Sequence, residues 1–239
     1  GVVDALHALA SAIESFGHEG AAATQLQAAI SRAATSIASP FAASLGSFQG
    51  TGEPTHLVDV GTAYLEMIFR AALFSRQTLT PELLHATLRL TAPALRQPSR
   101  DLPRSACSLL ARLATDESAC GLPLRNDAHL CAEVLAGLLA ALASPAAQEL
   151  LPRVAECLRL LLLACGDAAG GMLNAALTIE HAKATASAAT PPSAERFSAA
   201  ALETVDDARA FRAVACDFSL LARATAPPPR EAMQSSVFL

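Results

Sequence analysis

Apolar positions in the first sixteen residues recur at intervals of three and four: Val3, Leu6, Leu9, Ile13 and Phe16 fall on one helical stripe, which Gly17 ends. Leu26, Ile30 and Ile37 continue this spacing until Pro40, and the glycine-rich stretch from Gly46 to Pro54 reads as a loop, so the first two helices are expected to form a hairpin. The pattern resumes at Thr55 with Leu57, Val60, Tyr64, Met67, Ile68 and Phe74. Thr80-Pro81-Glu82 then supplies an N-cap with proline at the first helical position. Leu83, Leu84, Leu88 and Leu95 line the helix that follows, and Pro98 is expected to close it; Asp101 and Pro103 open the next, which carries Cys107, Leu110 and Leu113.

A polar link from Thr115 to Asn126 leads into a helix over Leu130 to Leu142. Ser144-Pro145 repeats the cap-plus-proline start, for a helix running to Cys165 and ended by Gly166. A weaker helix reaches about Lys183, with Gly170-Gly171 read as a turn between helices. Ser193 to Arg223 is helical again, divided in two by Thr204-Val205-Asp206-Asp207, which resembles a capping box. The spacing thus predicts about ten helices of about 12 to 20 residues in antiparallel hairpins. Helix starts near Val2, Thr55, Asp101, Pro145 and Ser193 fit the period of about 40 to 47 residues found in HEAT and armadillo repeats. The predicted fold class is all-α, a HEAT-type α-α superhelix, meaning a solenoid of antiparallel helix hairpins. It is expected to occupy residues 1–224, with 225–239, containing Pro227-Pro228-Pro229, as a disordered tail.

Composition agrees with this. Hydrophobic residues make up 52% of the 239, only 4% are aromatic, Trp is absent and Tyr64 is the single Tyr, so the core is built from Leu and Ala, both strong helix formers. The most apolar run, Leu158 to Cys165, is flanked by Glu156, Arg159 and Asp167 and is too short to span a bilayer, so no membrane partner is expected. The chain opens on Gly1 with a helix and no charged leader, which reads as a piece of a longer intracellular protein. A net charge of −5 argues against direct nucleic-acid binding and favours basic protein partners.

Catalytic signatures are missing from the sequence pattern: there is no G-x-S-x-G, H-E-x-x-H, phosphate-cradling or dinucleotide fingerprint. The expected activity is therefore binding, without enzyme chemistry, cofactor or metal. His129 and Glu133 are four apart with Cys131 between them, but no third and fourth ligand lie nearby, so an exposed polar pair beside a packed Cys is the reading. The six cysteines, Cys107, Cys120, Cys131, Cys157, Cys165 and Cys216, form no C-x-x-C pair and are expected to be reduced core thiols. Cys157 and Cys165 share a helix face two turns apart and cannot bridge each other. Arg96, Arg100, Arg104 and Arg112 cluster around one helix start, either as a binding edge or as a solvated rim. The acids Glu53, Asp59, Glu66, Glu133, Glu156, Glu203, Asp206 and Asp207 are scattered, and on a concave surface they would meet a basic cargo.

Three segments, in order, carry a family resemblance. Arg104-Ser105-Ala106-Cys107-Ser108-Leu109-Leu110, Leu177-Thr178-Ile179-Glu180-His181-Ala182-Lys183 and Phe211-Arg212-Ala213-Val214-Ala215-Cys216-Asp217-Phe218-Ser219-Leu220-Leu221-Ala222-Arg223 resemble the C-terminal part of the transportin-3 and importin-13 group of karyopherin-β nuclear transport receptors. In that pattern an acidic residue commonly follows the first Arg; here Ser105 stands in its place. The resemblance spans about residues 1 to 223 and is most specific in the last third. It implies the C-terminal arch of an import receptor that shuttles between cytoplasm and nucleus. Such a receptor carries protein cargo, typically arginine-serine-rich splicing factors, and releases it on binding Ran-GTP, mainly through N-terminal repeats. Clefts between outer helices would receive FG-nucleoporins. Arg100, Arg104, Asp217 and Arg223 are the protein-binding residues it points to. A generic helical-repeat scaffold unrelated to nuclear transport is the alternative.

Overall fold

The computed structural model describes residues 1–47, 55–116, 127–184 and 193–224, and all the regular structure in them is helical. In chain order the α-helices are α1 (Val2–Phe16), α2 (Gly20–Ser47), α3 (Thr55–Phe74), α4 (Pro81–Leu95), α5 (Asp101–Ala114), α6 (Ala128–Ala143), α7 (Leu151–Cys165), α8 (Ala169–Ala184), α9 (Ser193–Glu203) and α10 (Ala208–Ala224). Each helix from α1 to α6 packs on the helix two places further along the chain. One row is α1, α3, α5 and α7, and a second row behind it is α2, α4, α6 and α8. The last pair leaves this order: α9 lies against α8, and α10 crosses onto α6 and α7. A single apolar cluster runs between the rows from Leu6 to Ala215.

Local chemistry explains most boundaries. Gly17 follows α1 in helical conformation, its N–H bonded to the Ile13 carbonyl at 2.8 Å. Thr80 caps α4 through its side chain, which accepts from the Leu83 N–H at 3.3 Å. Asp127 caps α6 in the same way, accepting from Leu130 at 2.9 Å, and those backbone bonds hold its carboxyl below the usual carboxylate range, with His85 of α4 adding to the effect at 3.0 Å. Asp207, rather than Thr204, caps α10, accepting from the N–H groups of Arg209 and Ala210. Gly166 takes φ +54, the left-handed region that suits glycine, and separates α7 from α8.

Four sequence expectations need correction. Pro40 does not end α2, which runs to Ser47; Phe41, 3% exposed, lies so tightly on Gly61 of α3 that a Cβ there would meet its ring, and this packing holds the turn after the proline in place. α4 ends at Leu95, before Pro98, with Pro93 inside its last turn. Pro145 starts a short 3-10 segment, Pro145–Leu150, and α7 begins only at Leu151, because Pro152 has no N–H to bond the carbonyl of Gln148 and fits a first helical turn instead. Gly170-Gly171 lies within the first turn of α8, since the break is made at Gly166. The predicted tail at 225–239, the loop core at 48–54 and most of the link at 117–126 lie outside the described residues.

By length and composition, the run Gln148–Glu180 is apolar enough to cross a bilayer, with a window of mean hydropathy 1.6 that is one-third buried. This exceeds the Leu158 to Cys165 run judged from sequence. The kink at Gly166 divides it, leaving α7 with 15 residues, about 22 Å of helix against a hydrocarbon core of about 30 Å.

The second row is held to the first partly by a buried hydroxyl pair. Tyr64 of α3 is fully buried, with its oxygen 2.9 Å from Thr87 Oγ1 of α4. Thr87 donates its one proton to the Leu83 carbonyl at 2.9 Å, so the tyrosine donates to Thr87. Burial pushes the Tyr64 phenol up to about 12, against the lowering effect of Thr87. Tyr64→Phe is expected to cost about 1 kcal/mol in urea unfolding, the net worth of one buried hydrogen bond. Gly137 of α6 is a sharper constraint: a Cβ there would lie 2.9 Å from the Ala92 carbonyl oxygen and 3.1 Å from its Cα, both backbone atoms of α4. Gly137→Ala should therefore destabilise by about 1–2 kcal/mol despite alanine's helix propensity. Gly171→Ala, with nothing within 4 Å of the new methyl, should stabilise by about 0.5–1 kcal/mol in the same assay.

Candidate interaction groove

The outward face of α1, α3 and α5 forms an open groove of about 540 Å³. On α3 it is lined by Asp59, Thr62, Glu66, Phe69 and Arg70, spaced one helical face apart and opposite the buried stripe of Val60, Tyr64, Met67 and Ile68. Asp101, Arg104, Ser105 and Ser108 line it from α5, whose other side buries Leu102, Ala106, Leu109, Leu110 and Leu113. Val3 and His7 of α1 complete one wall.

Charge in the groove is unbalanced. Arg70 reaches across to pair with Glu14 of α1. Asp59, Glu66 and Asp101 have no ion-pair partner among the described residues, and against these three carboxylates only Arg104 is an arginine without one. The floor is polar and incompletely bonded: Thr62 Oγ1 is buried with no hydrogen-bond partner, and Ser105 is only 7% exposed. Arg153 of α7 closes one end, donating to Ser108 Oγ at 2.9 Å. An apolar side chain, Phe69, half-buried beside carboxylates, suits a ligand with an aliphatic stem and a cationic head.

The residues singled out from sequence do not converge. Arg104 lines the groove, whereas Arg100, one turn earlier, pairs with Glu149 at 2.9 Å. Arg96 faces Glu180 of α8, and Arg112 donates to the Ala72 carbonyl at 3.4 Å, so three of the four arginines around the start of α5 engage three different neighbours and only Arg104 is left to the groove. Asp217 is exposed on α10, and Arg223 donates its Nε to the Ser219 carbonyl one turn back at 3.0 Å; both belong to a helix that packs on α6 and α7, away from α5. Of the acids, Asp59 and Glu66 share the groove, Glu133 sits 3.6 Å from exposed His129, Glu156 pairs with Arg159, and Glu53 lies outside the described residues. Cys131 points inward from that His–Glu pair, and no three metal-ligating side chains gather among the described residues.

Sequence reasoning missed Thr62 and Ser105, although Asp59, Thr62 and Glu66 at i, i+3 and i+7 were a readable polar face. It also missed the thiol contact between Cys131 of α6 and Cys165 of α7, 3.5 Å apart, and that of Cys157 with Cys107 of α5, which pushes the Cys157 thiol up ahead of the effect of its burial. Residues 34 positions apart leave no local signal.

Thr62→Val removes a buried hydroxyl that bonds nothing in the free protein, and is expected to leave unfolding stability unchanged or raise it by up to about 1 kcal/mol. Loss of more than that in a thermal melt would mean the hydroxyl is satisfied in solution.

Compared with known proteins, the chain matches no family model, no curated protein and no solved structure.

Proposed function

We propose that this chain is a HEAT-type solenoid segment that binds a basic stretch of a protein partner along the α1, α3 and α5 row, without enzyme chemistry. The observation that carries the reading is the combination of helix-on-second-helix stacking with an outward groove in which three carboxylates, Asp59, Glu66 and Asp101, form no ion pair among the described residues and outnumber the one unpaired arginine of the lining, Arg104. Stacking of this kind gives each hairpin only its neighbours to pack against, so the rows flex by small shifts between hairpins and present a long surface. Carboxylates left unpaired at neutral pH repel one another and lower their energy when guanidinium groups arrive, which selects arginine-rich segments over neutral ones.

The three sequence segments resembling the transportin-3 and importin-13 group make an import receptor the specific form of this proposal, with arginine-serine-rich cargo and release by Ran-GTP. An arginine-serine-rich peptide should be captured by the immobilised chain, and capture should weaken steeply as salt rises from about 0.1 M to about 0.5 M. Asp59→Asn combined with Glu66→Gln should reduce affinity roughly tenfold, about 1.4 kcal/mol. Repeating the pull-down with GTP-locked Ran separates the readings. Abolished capture supports an import receptor, capture indifferent to Ran supports a scaffold, and no capture of the basic peptide sinks the cargo role.

A further inference from the structure

Two thiols from different helices meet at one edge of the α6–α7 hairpin. Cys131 lies in the first turn of α6 and is 1% exposed; Cys165 is the last residue of α7 and is partly exposed beside the Gly166 turn. Their sulfurs are 3.5 Å apart, so a bond of about 2.0 Å needs each to move less than about 1 Å, within reach of small side-chain rotations. α6 and α7 are joined in sequence at the opposite end, through Ser144 and the Pro145–Leu150 segment. The thiol contact therefore sits where the hairpin is open. We propose that Cys131 and Cys165 are a reversible redox site, forming a disulfide that closes the open end of the α6–α7 hairpin when a small-molecule disulfide such as oxidised glutathione is present.

The exposures fix the order of events. The thiolate of Cys165, the accessible partner, attacks the oxidant, forming a mixed disulfide and releasing one molecule of reduced thiol. Cys131 then loses its proton and attacks the Cys165 sulfur; the protein disulfide forms and the second reduced thiol leaves with the electron pair. Two protein thiols are oxidised, and one small disulfide is reduced to two thiols. The hydrogen bond with Cys165, followed by burial, holds the Cys131 thiol above its ordinary range, so the second step is slow at neutral pH and quickens as pH rises.

The bond would hold together the hairpin on which α8, α10 and the α5 contact all rest. It closes a loop between positions 34 apart, enough to raise the melting midpoint by roughly 5–10 °C if the native geometry accepts it.

The test treats the full chain with oxidised glutathione at neutral and mildly alkaline pH, with a dithiothreitol-reduced control. Peptide mapping by mass spectrometry under non-reducing conditions is read beside thermal melts. A Cys131–Cys165 peptide pair, a raised midpoint reversed by dithiothreitol, and faster formation at the higher pH are expected. Cys165→Ser, altering the partly exposed partner, should fold normally and lose both the link and the shift. Cys131→Ser should stop at glutathione on Cys165, and Cys216→Ser should behave as the parent chain. The proposal is overturned if the folded parent chain stays unmodified, halts with glutathione on Cys165, or joins a different pair of cysteines.

Discussion

Gly137 lets α6 lie against the backbone of α4, at a separation where any side chain would strike the Ala92 carbonyl. Much of the packing in the second half of the molecule rests on that approach, because α6 packs on four other helices: α4 and α8 in its own row, α7 in the other, and α10 across both. A helix so placed has little solvent face beyond His129 and Glu133 in its first turns, and the rest of α6 is apolar nearly all round, with Leu130, Val134, Leu135, Leu138, Leu139 and Leu142 buried alongside alanines and Cys131. Small residues on one side and leucines on the other let it approach one neighbour by backbone and the rest by side chain. The few polar links to α6 are at its ends, where carbonyl and N–H groups lack helical partners: Asp127 at the start, and at the finish Ser219 of α10, whose buried hydroxyl donates to the Leu142 carbonyl at 2.5 Å.

Outward from this centre the rows become more polar. α5 divides sharply between a buried leucine face and a charged one, and α3 behaves similarly. Hydrophobic burial decides which side of each helix faces the other row, so the charged side is placed where three neighbouring helices of the first row present their polar faces together. Within that strip, pairing is incomplete. Arg70 is used between helices and Arg153 is held by Ser108, which leaves the carboxylates of Asp59, Glu66 and Asp101 without ion pairs among the described residues, and only Arg104 of the groove lining to offset their field.

Much of this was legible in the sequence because helix periodicity and capping are local. Leu6 and Ile13 mark the inward face of α1, although Phe16 of the same stripe is exposed and Ala10 is buried instead, while Thr80-Pro81 marks the start of α4 and Gly166 the end of α7. The misjudged positions share a cause. A proline or glycine pair was read as a boundary from its own chemistry, while the outcome depended on a distant partner or on a second breaker nearby: Phe41 resting on Gly61 carries α2 past Pro40, Pro152 moves the start of α7, and Gly166 makes a turn at Gly170 unnecessary. The groove was half visible, in that Arg104, Asp59 and Glu66 were all noticed, but which of them face each other is set by the packing of α3 on α5. Arg100 and Arg104 looked equivalent in sequence and are not, since Glu149 from a segment 49 residues along engages only the first.

The groove and the α6–α7 hairpin are not independent. Arg153 sits in the first turns of α7 and bonds Ser108 of α5, while Arg159, one face further along α7, is held by Glu156 and donates to the Val205 carbonyl between α9 and α10 at 3.2 Å. α7 thus carries a polar link to the groove wall at one side and to the closing helices at the other, with its thiol at the far end against α6. α10 crosses onto both α6 and α7, so the two helices share a third partner beside their own contact. The Arg153–Ser108 bond is exposed, so α7 and α5 are joined there by a surface contact, while their buried faces meet through the core.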